Sequence, residues 1–188
     1  MTSEFEARRQ IVEAGQRLWQ RGFVAANDGN ISVRLGPGRF LVTPTGVSKG
    51  FMSHSDLIVV DDGGNVTDGA GRPTSELPMH LFVYARRPDV SAIVHAHPPK
   101  ATGFAVAGVP LAQCILPEVI LTLGKVPITP YATPSTEEVP ASIDSFIGEY
   151  NALLLKNHGA LALGSDITQA YHRMETFEHF AEITLVAR

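Results

Sequence analysis

The sequence predicts an α/β protein built around a largely antiparallel sheet, and three observations carry that expectation. Short apolar runs bounded by Gly, Pro, Asn and Asp recur as strands joined by tight turns, as in ISVRLGPGRFLVTP and DLIVVDDGGNVTDG. Stretches with helical spacing of apolar residues are interspersed among them and occupy both ends of the chain. A polar KNHG interrupts the apolar ALLL and ALALG, marking a strand pair that turns near Asn157-Gly159.

Taken in order, residues 3–21 read as a helix with Ile11, Ala14, Leu18 and Trp19 on one face, ended by Arg21-Gly22. The loop AANDGN leads into ISVRL, and GPGR turns that strand onto FLVTP as an antiparallel hairpin. DLIVVD is a strand whose partner is VTDG, across the turn DDGGN. SELPMHLFVYARR is a helix with Thr74 or Ser75 as N-cap and Pro78 in its first turn. SAIVHAHP is a strand, ATGFAVAG a helix, VILTLG an apolar segment of either type, and VPITPYAT extended. TEEVPASIDSFIGEY is helical, and DITQAYHRMETFEHFAEITLVAR is a long last helix. With no repeat, linker or low-complexity segment, residues 1–188 are expected to form one domain.

Composition narrows the function classes. An apolar fraction of 44% and a charged fraction of 18% are ordinary for a soluble globular chain able to bury a real core. A net charge of -4 without any Lys/Arg-rich block argues against nucleic acid as a partner. No apolar run approaches the roughly 20 residues that span a bilayer, and the N-terminus has no apolar signal region. The single cysteine, Cys114, makes no intramolecular disulfide and fits a reducing cytosol. A cytoplasmic protein without a membrane partner is expected.

AIVHAHPP places His95 and His97 one residue apart on a strand, so both side chains leave one face and Ala96 the other. Two imidazoles are then within reach of one ion, although hydrogen-bonded core histidines would produce the same pattern. His158 supplies a third, because a polar break between two buried strands is costly unless it hydrogen-bonds or binds something. Gly159 beside it permits close approach or an unusual backbone angle. Glu76 stands at the start of its helix, where the dipole alone would stabilise it; its other reading is metal ligand or general base beside the ion. Three histidines with an open position form a catalytic rather than a structural zinc arrangement. His54, His80, His172 and His179 fall outside this set. His172, Glu175 and His179 share a helix face, read as a solvated or interface face in preference to a second metal site.

The segments DGNIS, TPTG, PTSE, HAHP and NHGAL stand in the order and spacing of the class II aldolase/adducin family, which the chain resembles from about residue 5 to its end. The resemblance implies a three-layer αβα sandwich around a mainly antiparallel sheet, and a cyclic homotetramer with active sites at subunit interfaces. It implies Zn2+, or another divalent ion such as Mn2+ or Co2+, held by His95, His97 and His158, with Glu76 as acid/base and neighbouring ligand. It further implies a substrate phosphate pocket formed by Gly29 and Asn30, Thr45 and Gly46, and Thr74 and Ser75. Glycines, hydroxyls and a helix N-terminus suit an anion, although each loop by itself is also ordinary turn chemistry.

The implied reaction is retro-aldol cleavage of a small ketose 1-phosphate to dihydroxyacetone phosphate and an aldehyde, with the metal as Lewis acid. Relatives also act as 4-epimerases, dehydratases and decarboxylases, and adducin uses the fold without catalysis, a use that predicts lost metal ligands. Glu76 is the aldolase choice where the epimerases carry aspartate. Aldolases of the family also draw a tyrosine from the neighbouring subunit, and the matching stretch LAQCILPEV contains none. Glu118 lies there instead, expected as a second catalytic, proton-transfer group across the interface or as a buried or capping glutamate. Asp28 sets a negative charge beside the phosphate loop, which would repel a phosphate if it faced the pocket and leaves open a non-phosphorylated substrate. The sequence stops at Arg188, where the aldolases continue into a tail over the neighbour's site, so a missing tail or a more open site is expected.

Overall fold

Two hairpins build one half of the sheet. Strand β1 (Asn30–Gly36) pairs antiparallel with β2 (Arg39–Val42), and β3 (Ile58–Val60) with β4 (Val66–Asp68). A third strand pair, β6 (Ala152–Leu155) and β7 (Gly159–Gly164), forms the other edge, with β5 (Ala92–Ala96) between β1 and β7. The result is a seven-stranded sheet of order β4-β3-β2-β1-β5-β7-β6, every neighbouring pair antiparallel. The structure is a computed structural model and describes residues 3–112 and 116–187; the expectations attached to Cys114 and Arg188 lie outside the described residues.

Alternation along the strands sorts their side chains onto two faces, and helices cover both. On one face α1 (Glu4–Gln20), α3 (Pro99–Ala107) and α6 (Ile167–Val186) bury Ile11, Leu18, Phe104, Met174 and Phe177 against Ile31, Leu41, Val94 and Leu154. On the other, α2 (Leu77–Arg86) and α5 (Glu138–Ile147) bury Met79, Val83, Ile143 and Ile147 against Phe40, Ile58, Ile93 and Leu161. These layers are the αβα sandwich the resemblance implied.

Three local expectations change. Trp19 is 43% exposed and packs edge-on against Phe51 at 5.1 Å. The buried stripe of α1 is Ala7, Ile11, Ala14 and Leu18, and one further residue turns Trp19 about 100° away from it. The N-cap of α2 is Glu76, not Thr74 or Ser75. Thr74 Oγ1 accepts the Glu76 N–H at 3.3 Å and its carbonyl accepts the Leu77 N–H, a turn that delays the helix. Of the ambiguous VILTLG, residues 119–122 are helical and end the short helix α4 (Pro117–Thr122), which Pro117 opens.

The elements meet where the predicted motifs lie. Asn30 on β1 is paired across the ladder with His95 on β5, which is paired in turn with Leu161 on β7. After His97 the chain enters α3, whose N-cap Pro98 offers no side-chain bond. Glu178 of α6 supplies it instead: its buried carboxylate accepts the Lys100 and Ala101 N–H groups at 3.0 and 2.9 Å. The HAHPP segment is thereby fixed from both ends, because the His97 N–H also donates to Phe23 O at 2.9 Å.

Candidate metal centre

His95, at the sheet centre and fully buried, donates through Nδ1 to Ala160 O at 2.9 Å. That bond turns Nε2 toward Glu76 and His97. His97 continues the strand direction, with Nδ1 3.4 Å from Asp28 Oδ2 and Nε2 3.1 Å from His95 Nε2. His158 arrives from the β6–β7 turn, where Asn157 takes a left-handed φ of 57°. The three imidazoles offer ligand atoms that all lie within 4.8 Å of one another.

Close approach at Gly159 makes this convergence possible. A Cβ there would lie 2.5 Å from His97 Cδ2 and 2.7 Å from Ala96 O. Gly29 is constrained in the same way on the opposite side: its φ is +70°, and a Cβ would meet His95 O at 2.8 Å. Both glycines therefore serve the histidines.

Glu76 completes the group. Its Oε2 is 3.1 Å from His95 Nε2 and accepts from Asn30 Nδ2 at 2.8 Å. Its Oε1 is 3.3 Å from His158 Nε2, buried and without a hydrogen bond. Burial pushes the Glu76 carboxyl up, but His95, then His158 and Asn30, outweigh it and hold the group well below the usual carboxylate range. Burial and the neighbouring His95 push His158 down to about 4. Burial likewise lowers His97, with His95 adding to it. Burial would also lower His95, yet the Glu76 charge and hydrogen bond raise it.

This donor set fits a divalent metal. Three imidazole nitrogens converge beside a buried carboxylate oxygen that lacks a partner, and neutral His97 and His158 offer lone pairs rather than protons. His172, Glu175 and His179 form no such group among the described residues: Glu175 pairs with Arg21 at 3.4 Å and accepts from Tyr171.

The loops assigned to substrate binding also come together. An antiparallel bridge joins Pro44 to Pro73, and the Thr45 N–H donates to Arg72 O at 3.0 Å. Thr45, Gly46 and Ser75 are exposed, whereas the hydroxyl of buried Thr74 is used on the Glu76 N–H. The buried Lys49 ties the Asn27 and Val47 carbonyls together at 3.1 and 2.7 Å, bracing the Gly29 loop against the Thr45 loop. Asn30 is buried with both ends of its amide engaged, by Glu76 and by His80. Glu118 is exposed on α4 and takes no part in the histidine cluster's hydrogen bonds or ion pairs.

Residue reading of the sequence did not find His80, Ser32 and Tyr84 behind Asn30, or Ser135, which donates to Ser75 Oγ at 2.9 Å. Asp28, whose charge stands beside the proposed phosphate loop, places Oδ2 3.4 Å from His97 Nδ1. The available signal for the first group was polar residues every fourth position in an apolar helix, Glu76, His80 and Tyr84.

The antiparallel αβα sandwich with a three-histidine, one-carboxylate centre is that of a metal-dependent lyase. The chain belongs to the Class II Aldolase and Adducin N-terminal domain family, whose pattern it matches over residues 9–185. It is 32% identical over 177 residues to an L-fuculose phosphate aldolase of Methanococcus maripaludis, covering 94% of this chain and 95% of that protein. It is also 32% identical over 190 residues to a 3-oxo-tetronate 4-phosphate decarboxylase of Pectobacterium atrosepticum, covering 99% and 87% respectively. Among solved structures, YgbL from Klebsiella pneumoniae superposes with a TM-score of 0.91 at 32% identity, over 99% of this chain and 91% of that one. Among the described residues, no helix is long and apolar enough to cross a membrane.

Proposed function

We propose that this protein is a zinc-dependent carbon–carbon lyase that releases dihydroxyacetone phosphate from a small phosphorylated ketose, by retro-aldol cleavage with an aldehyde as the second product. The observation that carries the reading is the convergence of His95, His97 and His158 on one another, with the Glu76 carboxylate 3.1 Å from His95 and 3.3 Å from His158. These residues would hold the ion, with manganese or cobalt as substitutes, and when bound it supplies Lewis acidity for a carbonyl oxygen that gains negative charge. Glu76, adjacent to that position, relays the proton: in the cleavage direction it takes one up from solvent and delivers it to the carbon the aldehyde leaves, and in the reverse direction it removes it. The Gly29, Thr45–Gly46 and Thr74–Ser75 loops receive the phosphate through backbone N–H groups and exposed hydroxyls.

Aldol cleavage also needs a group to take the hydroxyl proton of the departing aldehyde. Glu118 of a neighbouring subunit fills that role in a homotetramer with sites at subunit interfaces, the chain acting as one cytoplasmic domain.

A second reading has a specific observation behind it. Within one chain, Glu76 is the carboxylate that touches both His95 and His158, and decarboxylation requires only one protonation, at carbon. Loss of carbon dioxide from 3-oxo-tetronate 4-phosphate also yields dihydroxyacetone phosphate, so the two reactions share the retained fragment and differ in what leaves.

Incubating the zinc-loaded protein with fuculose, rhamnulose, ribulose and deoxypentulose 1-phosphates, and separately with 3-oxo-tetronate 4-phosphate, separates them. Dihydroxyacetone phosphate with stoichiometric aldehyde supports aldol cleavage. The same product with carbon dioxide replaces it by decarboxylation, and silence on every compound by zinc-loaded protein contradicts both.

A further inference from the structure

Glu76, His80 and Tyr84 recur every fourth residue and share one face of α2, while Asn30, Ser32 and Arg34 recur every second residue on the facing side of β1. Four helical residues advance about 6 Å and two strand residues about 6.6 Å. The two polar rows therefore stay in step and close on each other like a zipper.

The contacts follow that register. Asn30 Nδ2 donates to Glu76 Oε2 at 2.8 Å, and Asn30 Oδ1 meets His80 Nε2 at 2.5 Å. His80 Nδ1 meets Ser32 Oγ at 2.6 Å, and Ser32 Oγ meets Tyr84 Oη at 2.8 Å. Arg34 closes the far end, donating to Tyr84 O at 2.8 Å with its guanidinium 4.8 Å from the Tyr84 ring centre. Asn30, Ser32, His80 and Tyr84 are at most 4% exposed, so no solvent reaches the row.

The chemistry of the groups gives the row a single direction. An ionised carboxylate can only accept, so the Asn30 amide nitrogen must face Glu76 and its oxygen must face His80. His80 then carries its proton on Nε2 and accepts at Nδ1 from the Ser32 hydroxyl, which in turn accepts from Tyr84. One ring nitrogen donating and the other accepting is the neutral imidazole, which this arrangement needs. Every donor points toward the site, and each buried group is satisfied.

We propose that the Tyr84–Ser32–His80–Asn30 row is a one-way hydrogen-bond chain that fixes the orientation of the Glu76 carboxylate between His95 and His158, with His80 as the positioning residue at its centre. The consequence for Asn30 is specific: its side-chain amide is held between Glu76 and His80. The catalytic part of this inference rests on the reading of Glu76 as the proton carrier, so the test includes an arm that needs no substrate.

The variants are His80→Leu, which removes both the donor and the acceptor, and His80→Gln, whose amide retains one of each without titrating. In zinc-loaded protein, crystal structures should show the Glu76 carboxylate turned away from its place between His95 and His158 in His80→Leu and retained in His80→Gln. With the substrate found for the wild type, His80→Leu should lose about 10-fold or more in kcat, with KM and zinc content held. His80→Gln should recover most of the rate. A Glu76 carboxylate unmoved in His80→Leu overturns the proposal whatever the activity. So does a loss of rate equal in both variants, or one explained by lost zinc or a lowered melting temperature. If His80→Leu does not fold, Ser32→Ala breaks the adjoining link, and the same outcomes decide.

Discussion

Gly159→Ala offers the sharpest perturbation of the histidine cluster, because it adds one methyl group at a known place. That Cβ would stand 2.5 Å from His97 Cδ2, 2.7 Å from Ala96 O and 3.3 Å from His95 Cε1. Ordinary carbon contacts sit at about 3.5–4.0 Å, so the overlap with His97 is about 1 Å. The Ala96 carbonyl cannot retreat freely, since Ala96 is paired with Ala160 in the β5–β7 ladder. Relief must come from the two imidazole rings, which are proposed metal ligands. Overpacking of this kind costs about 1–3 kcal/mol, and metal affinity should fall about 10–100-fold. Urea denaturation and competition with a chromogenic chelator measure the two effects. Gly103→Ala is the control: at an exposed position of α3, with nothing within 4 Å of its Cβ, the same change should stabilise by up to about 1 kcal/mol. A Gly159→Ala protein that binds zinc as tightly as the wild type would refute the reasoning.

Other perturbations probe the supports around the site. Glu178→Ala strands two N–H groups at the start of α3 and should cost about 2–3 kcal/mol by urea denaturation, with Glu178→Gln near half that; equal stability would show that α3 needs no cap from α6. Asp28→Ala leaves His97 Nδ1 without its carboxylate and should weaken zinc binding about 10-fold or more in the chelator assay; unchanged affinity would remove Asp28 from the centre. Burial depresses Lys49 from 10.5 to about 8, so the unfolded chain holds that proton more tightly than the folded one. The penalty is fully present below about pH 8 and fades as pH rises toward 10.5. The stability of wild type relative to Lys49→Met should therefore rise across that window by at most about 3 kcal/mol, and a flat difference would contradict it.

The histidine site was readable because its signals are local and of different kinds. Strand alternation put His95 and His97 on one side, and the polar interruption KNHG put His158 in a turn between buried strands. What stayed hidden depends on partners distant in sequence. Thr74 and Ser75 have the composition of N-caps, but Thr74 spends its hydroxyl on the Glu76 N–H, which moves the helix start and frees the Glu76 carboxylate. The contact of Asp28 with His97 was hidden because the sequence does not say which way a loop side chain turns. His80 looked like an unassigned histidine, since its meaning requires matching a period of four on α2 with a period of two on β1. Trp19 was misplaced for the simplest reason: a helix needs only one buried stripe, and Ala7, Ile11, Ala14 and Leu18 already supply it.

Elemental analysis of the purified chain after zinc loading and dialysis tests the metal centre most directly. About one zinc ion per chain is predicted for the wild type, with none retained by His95→Ala or His158→Ala proteins that still fold. A folded wild-type chain that retains neither zinc, manganese nor cobalt, or histidine variants that retain as much metal as the wild type, would contradict it.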